Sequence, residues 1–159
     1  MITNSKLAYH DHDHERCISA ALVRAAAVCE QHNARFTQAR KDVLSLLWQS
    51  HQPLGAYKIM DLLSEKRGKR VMPPTVYRAL DFLLELGLIH RIASLNAYIG
   101  CPFPGSSHKE LFLICRICGS AAEYSADNVS DAITTAAQHA NFQLESQSLE
   151  LMGICPKCR

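Results

Sequence analysis

The 159-residue sequence contains no run of about 18 apolar residues, the length a helix needs to cross a bilayer. Its first residues also lack the basic region followed by an apolar one that marks a secretory leader. A folded, soluble protein of the cytoplasm, without a membrane partner, is therefore expected. Extremes of composition are missing too: with 48% hydrophobic and 20% charged residues the chain is ordinary globular protein, long enough for one good core or two small domains. A strong net charge is likewise absent, but the formal +2 conceals an asymmetry. Residues 16–100 carry 12 Lys/Arg against 6 Asp/Glu, whereas residues 101–159 carry 4 against 6. The first half is the one suited to a polyanion.

That basic half contains the most informative stretch, Pro73-Pro74-Thr75-Val76-Tyr77-Arg78-Ala79-Leu80-Asp81-Phe82-Leu83-Leu84-Glu85-Leu86-Gly87. Two prolines suit a helix entry and Gly87 suits its end, which predicts a helix over 74–86. Val76, Leu80, Leu83, Leu84 and Leu86 fall on one face, and Thr75, Tyr77, Arg78, Asp81 and Glu85 on the other. A hydroxyl, a phenol and a guanidinium in the first exposed turn are side chains that hold phosphates and read base edges in a major groove. The same pattern also describes any amphipathic helix with a solvated face.

Context supports the first reading. Helical periodicity predicts a helix over 17–32, with Cys17 and Cys29 as packing residues, and a second helix after Thr37, a fair N-cap. Pro53-Leu54-Gly55 breaks that helix before a third over 56–65. Lys66-Arg67-Gly68-Lys69-Arg70 is then expected as a basic loop beside a phosphate backbone, with Lys69 and Arg70 among its contacts. Two short β-prone runs, 88–93 and 97–101, complete a winged-helix plan. The expected organisation is a tail over 1–15 containing His10, His12 and His14, a winged helix over 16–101, a hinge over 102–107, and a small α+β domain over 108–159. In the last, strands over 111–115, 120–125 and 142–152 and a helix over 127–139 are predicted. A domain this small gains from a metal staple and from pairing with a second copy.

Four of the seven cysteines supply the staple. Cys115-x-x-Cys118 and Cys155-x-x-Cys158 present four thiolates, the usual closed set for structural zinc; the 36 residues between the pairs exceed ordinary ribbon spacing. A redox dithiol is the competing reading of such pairs. His90, Cys101, His108 and Glu123 flank the wing, the hinge and the first cysteine pair, and N, S, N and O donors together would suit a second zinc bridging two domains. Taken singly, each is an ordinary histidine, cysteine or glutamate. His108-x-Glu110 ahead of a cysteine pair invites comparison with zinc deaminases. No proline precedes either pair, however, and four cysteines leave no open position for a catalytic water, so neither an enzyme nor a small-molecule substrate is expected.

Three motifs now carry a likeness. Pro73-Pro74-Thr75-Val76-Tyr77-Arg78-Ala79-Leu80, the upstream Arg35-Phe36-Thr37-Gln38-Ala39-Arg40, and the paired Cys-x-x-Cys motifs resemble the ferric uptake regulator family of bacterial metal-sensing repressors over about residues 17–158, and its zinc-sensing branch most. The resemblance implies an α+β protein with a winged-helix domain and a dimerisation domain, acting as a homodimer on double-stranded operator DNA. It also implies two zinc ions per chain, one structural and one regulatory, the latter held by His90, Cys101, His108 and Glu123. Tyr57 and Arg78 match positions that approach bases, with Thr75, Tyr77 and Arg40 on the same surface. Iron and peroxide sensors of the family carry a His-His-Asp-His run where this chain has Ser106-Ser107-His108-Lys109, so iron, manganese or peroxide sensing is the alternative reading.

Overall fold

The computed structural model of the protein describes residues 13–105, 110–124 and 127–159. Helix α1 (His14–Gln31) starts where Asp13 can cap it: its carboxylate accepts from the backbone N–H groups of Glu15 and Arg16. The helix thus begins inside the segment expected as a tail, while His10 and His12 lie outside the described residues. Helix α2 (Gln38–Trp48) follows Thr37, which occupies the N-cap position with extended backbone but makes no side-chain capping bond. Helix α3 runs Ala56–Arg67 and helix α4 Pro73–Glu85. Gly68 and Gly87, both at positive φ, terminate them.

The basic loop is shorter than expected. Nothing before Gly68 breaks α3, so Lys66 and Arg67 occupy its last turn, where cations also favour the helix dipole. Both reach back to the buried carboxylate of Asp42, Lys66 at 3.1 Å and Arg67 at 2.8 Å, and Gln38 adds a third bond at 3.0 Å. Of the four cations, Lys69 and Arg70 lie in the connection itself, both exposed.

Strand β1 (Ile89–Ile92), a 3-10 turn (Ala93–Leu95) and strand β2 (Ala97–Gly100) form the antiparallel wing. Leu54 and Tyr98 exchange two backbone hydrogen bonds, tying the wing to the α2–α3 connection. Val43, Leu44, Leu47, Ile59, Leu63, Val76, Leu80 and Leu83, all almost fully buried, fill the core between the four helices and β1.

The second unit is a three-stranded sheet in the order β4-β3-β5, built from β3 (Glu110–Cys115), β4 (Ala121–Glu123) and β5 (Ser148–Gly153), with helix α5 over Asp127–His139. Strand β3 is antiparallel to β4 and parallel to β5. The expected long strand from Phe142 shrinks to Ser148–Gly153. Each of the six residues of β3 pairs with one residue of β5, from Glu110 with Ser148 to Cys115 with Gly153.

Wing and sheet meet face to face. Ile92 and Ile99 pack with Phe112, Ile114 and Ala121 in a second small core. Two hydrogen bonds reinforce it: the Ala121 N–H donates to the His51 carbonyl at 2.8 Å, and the Gln52 side-chain Nε2 to the Cys118 carbonyl at 2.8 Å.

Asp42 offers a stability test. Burial by itself would raise its carboxyl pKa, but hydrogen bonds from Arg67, Gln38 and Lys66 outweigh burial and hold it below the usual carboxylate range. Its contribution is therefore present above an unfolded pKa of about 3.9 and lost as pH falls through the depressed folded value. Asp42→Ala is expected to cost about 2 kcal/mol in urea unfolding at pH 7, and less as the pH is lowered through that range.

Candidate metal centres and nucleic-acid face

The two Cys-x-x-Cys pairs converge. Cys115 ends β3 and Cys118 closes the turn after it, while Cys155 and Cys158 follow β5; because β3 and β5 are in parallel register, both knuckles leave the same end of the sheet. All four Sγ atoms lie within 4.8 Å of one another. Tetrahedral zinc with Zn–S near 2.3 Å places sulfurs roughly 3.8 Å apart, and Cys118 Sγ to Cys155 Sγ measures 3.7 Å.

The protons of this cluster are unevenly held. Backbone N–H groups of Cys118 and Cys155 pull the Cys115 thiol down to about 6. The Ser120 hydroxyl and its N–H lower Cys118 as well. Cys158 moves the other way, up to about 12, through its hydrogen bond to Cys155, burial, and its contacts with Cys118 and Cys115. Four thiolates this close repel one another, and a dication at their centre is the charge that lets all of them ionise.

A second constellation sits at the junction of wing and sheet. His90 lies on β1, Cys101 directly follows β2, and Glu123 ends β4; all three are buried, and their ligand atoms fall within 4.8 Å of one another. His90 Nε2 is 3.2 Å from Glu123 Oε2, near the roughly 3.3–3.4 Å expected between N and O ligands of one tetrahedral zinc. The Cys101 N–H donates to the Leu88 carbonyl at 3.0 Å, and the Phe112 ring meets the His90 imidazole edge-on at 5.5 Å. The fourth expected donor, His108, lies outside the described residues. Three donors from two domains thus converge on one buried point, and their N, S, O chemistry fits zinc better than a hard cation.

Gly100 contributes by its lack of a side chain. A Cβ there would fall 2.2 Å from Nε1 of the buried Trp48 indole, so only glycine lets β2 lie flat against α2 beside Cys101. No sequence motif marks this position.

Tyr57 (72% exposed) lies in the first turn of α3, and Tyr77 (42%) and Arg78, also exposed, in the second turn of α4. Thr75 is half-buried, and Lys69 and Arg70 are exposed between the helices. Arg40 differs: its guanidinium stacks 3.3 Å from the Phe82 ring centroid and donates to the Arg35 carbonyl, so it braces α2 against α4.

Comparison with known proteins places these features in a lineage. Residues 31–152 match the ferric uptake regulator family. The chain is 39% identical over 138 residues to the zinc uptake regulation protein of Escherichia coli K12, covering 86% of this chain and 80% of that protein. A solved zinc uptake regulator complexed with zinc and DNA superimposes with a TM-score of 0.80 at 35% identity, covering 93% of this chain and 96% of the other. Holo XcZur gives 0.76 at 38% identity over 87% of this chain and 96% of its own, and apo XcZur only 0.53 at 36% identity over 89% and 97%.

Replacing Gly100 tests how tightly the wing is set. Gly100→Ala forces Trp48 or β2 to move and is expected to cost about 1–3 kcal/mol, read by urea unfolding. An equally stable variant would show that the approach to Trp48 is slack.

Proposed function

Because the chain belongs to the ferric uptake regulator family, we propose that it is a zinc-responsive transcriptional repressor, binding operator DNA as a zinc-loaded homodimer and controlling zinc-uptake genes. The observation that supports this reading most is the convergence of His90, Cys101 and Glu123 at the junction of wing and sheet. A ligand set divided between two domains makes their docking depend on the ion.

Two zinc ions per chain are proposed. Cys115, Cys118, Cys155 and Cys158 hold a structural ion that closes the open end of a sheet too small to be stable unaided. His90, Cys101 and Glu123, with His108, form the regulatory site. The soft thiolate of Cys101 favours zinc over the iron or manganese of the alternative reading. When bound there, zinc supplies a bridge between the winged-helix and dimerisation domains.

The protein's own residues do the rest. With the wing docked, α4 is held at a fixed angle to the sheet, and Tyr57, Thr75, Tyr77 and Arg78 present a phosphate- and base-contacting edge, flanked by Lys69 and Arg70. The greater likeness to the zinc- and DNA-bound and holo relatives than to the apo form supports reading this conformation as the DNA-binding one. Strand β5 is an edge strand carrying Leu151 (50% exposed) and Met152 (63%), followed by Ile154. This apolar edge suits pairing with a second copy, which would place two reading heads on successive major grooves about 34 Å apart.

Zinc buffered by a competing chelator, titrated against a duplex selected from a random pool on the zinc-loaded protein, tests it. Two classes of zinc per chain are expected, with DNA binding rising as the weaker class fills and lost in Cys101→Ser. One class, with DNA binding indifferent to further zinc, would contradict a regulatory zinc.

A further inference from the structure

Glu150 lies on β5 in the row of the sheet that also holds Phe112 and Glu123. The register pairs Phe112 with Glu123 on one side and with Glu150 on the other, so these three side chains share one face. That face is the one turned to the wing. Glu123 meets His90 at 3.2 Å and Phe112 meets the same imidazole edge-on. At the far end of the row, Glu150 reaches the wing tip. Its Oε1 accepts from the Ala93 N–H at 2.7 Å and its Oε2 from the Ser94 N–H at 3.1 Å.

Those two N–H groups open the 3-10 turn of the wing, where the turn itself leaves donors without partners. A carboxylate is the natural acceptor at such a position, and bonds to an ionised acceptor are about twice as strong as neutral ones. The Ser94 hydroxyl and N–H, outweighing partial burial and joined by the Ala93 N–H, keep the Glu150 carboxyl below its usual range, so the acceptor is ionised at neutral pH. Both groups on the wing are main chain, and their partner comes from the other domain, 56 and 57 residues away.

We propose that Glu150 is a clasp which docks the wing tip on the dimerisation sheet and thereby sets the affinity of the regulatory zinc site. It is a positioning residue, since its bonds go to the wing-tip amides and not to His90, Cys101 or Glu123. This inference rests on the regulatory reading of His90, Cys101 and Glu123. One sheet row then grips the wing at two points: the metal closes one end, and Glu150 holds the other. Each closure lowers the entropic cost of the other, because a wing already held at its tip has less freedom to lose when His90 and Cys101 are drawn to Glu123.

Glu150→Ala and Glu150→Gln in the full-length protein, with the four-cysteine zinc retained, provide the test. Glu150→Ala is expected to weaken the lower-affinity zinc equivalent about five- to tenfold in a chelator competition without DNA, leaving the tighter equivalent unchanged. Glu150→Gln, which keeps one neutral acceptor, should fall between. With both zinc equivalents bound, the Ala93 and Ser94 amides should exchange with solvent at least tenfold faster in Glu150→Ala than in the parent. A folded, dimeric Glu150→Ala chain with zinc affinity within twofold of the parent overturns the coupling, and unchanged amide exchange overturns the clasp. A parent chain that takes up only one zinc would instead contradict the regulatory reading itself, and that outcome appears before any variant is compared.

Discussion

Everything in this structure that bears on regulation depends on one small junction, where the wing hairpin lies against the dimerisation sheet. Its apolar part is five residues, Ile92, Ile99, Phe112, Ile114 and Ala121, against a winged-helix core several times larger. Contacts of this size between domains leave relative motion as the default, because the surface buried is too little to fix two bodies against their freedom to separate. Specific polar links must decide whether the domains stay together. They sit at the rim of that core: His90, Cys101 and Glu123 at one end, Glu150 with Ala93 and Ser94 at the other, and the hydrogen bonds of the His51 carbonyl and the Gln52 side chain beside them.

Such a junction suits a switch. A rigid interface would present the DNA-facing helix in one pose under all conditions, and a purely flexible one would never align two heads. A marginal interface with a buried ligand set at its edge is decided by whether a cation occupies that set. The four-cysteine cluster has the opposite character. It lies within one domain, joins the ends of β3 and β5, and has nothing to release. Ligands gathered in one folded unit suit a staple, whereas ligands drawn from two units suit the sensor proposed above.

Much of this was legible in the sequence wherever a local signal exists. Pro73, Pro74 and Gly87 bound α4 to within a residue or two, and the regular spacing of Cys115, Cys118, Cys155 and Cys158 announces a shared ligand set. The regulatory set was not legible from spacing, because His90, Cys101 and Glu123 are brought together by strand pairing across two domains; the family likeness pointed to them. Local propensity misjudged the ends of α3 and β5. Lys66 and Arg67 look like solvated loop until Asp42 is known to lie beside them, and the alternation from Phe142 onward reads as strand although only Ser148–Gly153 is strand. Glu150 and Gly100 leave no trace in the sequence, since their partners are a backbone turn and a remote indole.

The central claim is that a regulatory cation closes this junction. Small-angle X-ray scattering from the dimer, with the four-cysteine zinc retained and further zinc added stepwise, measures that closure in solution. The account predicts a broad, extended distance distribution that narrows and contracts, with the change complete at one further zinc per chain. Scattering curves that superimpose before and after that addition would contradict it.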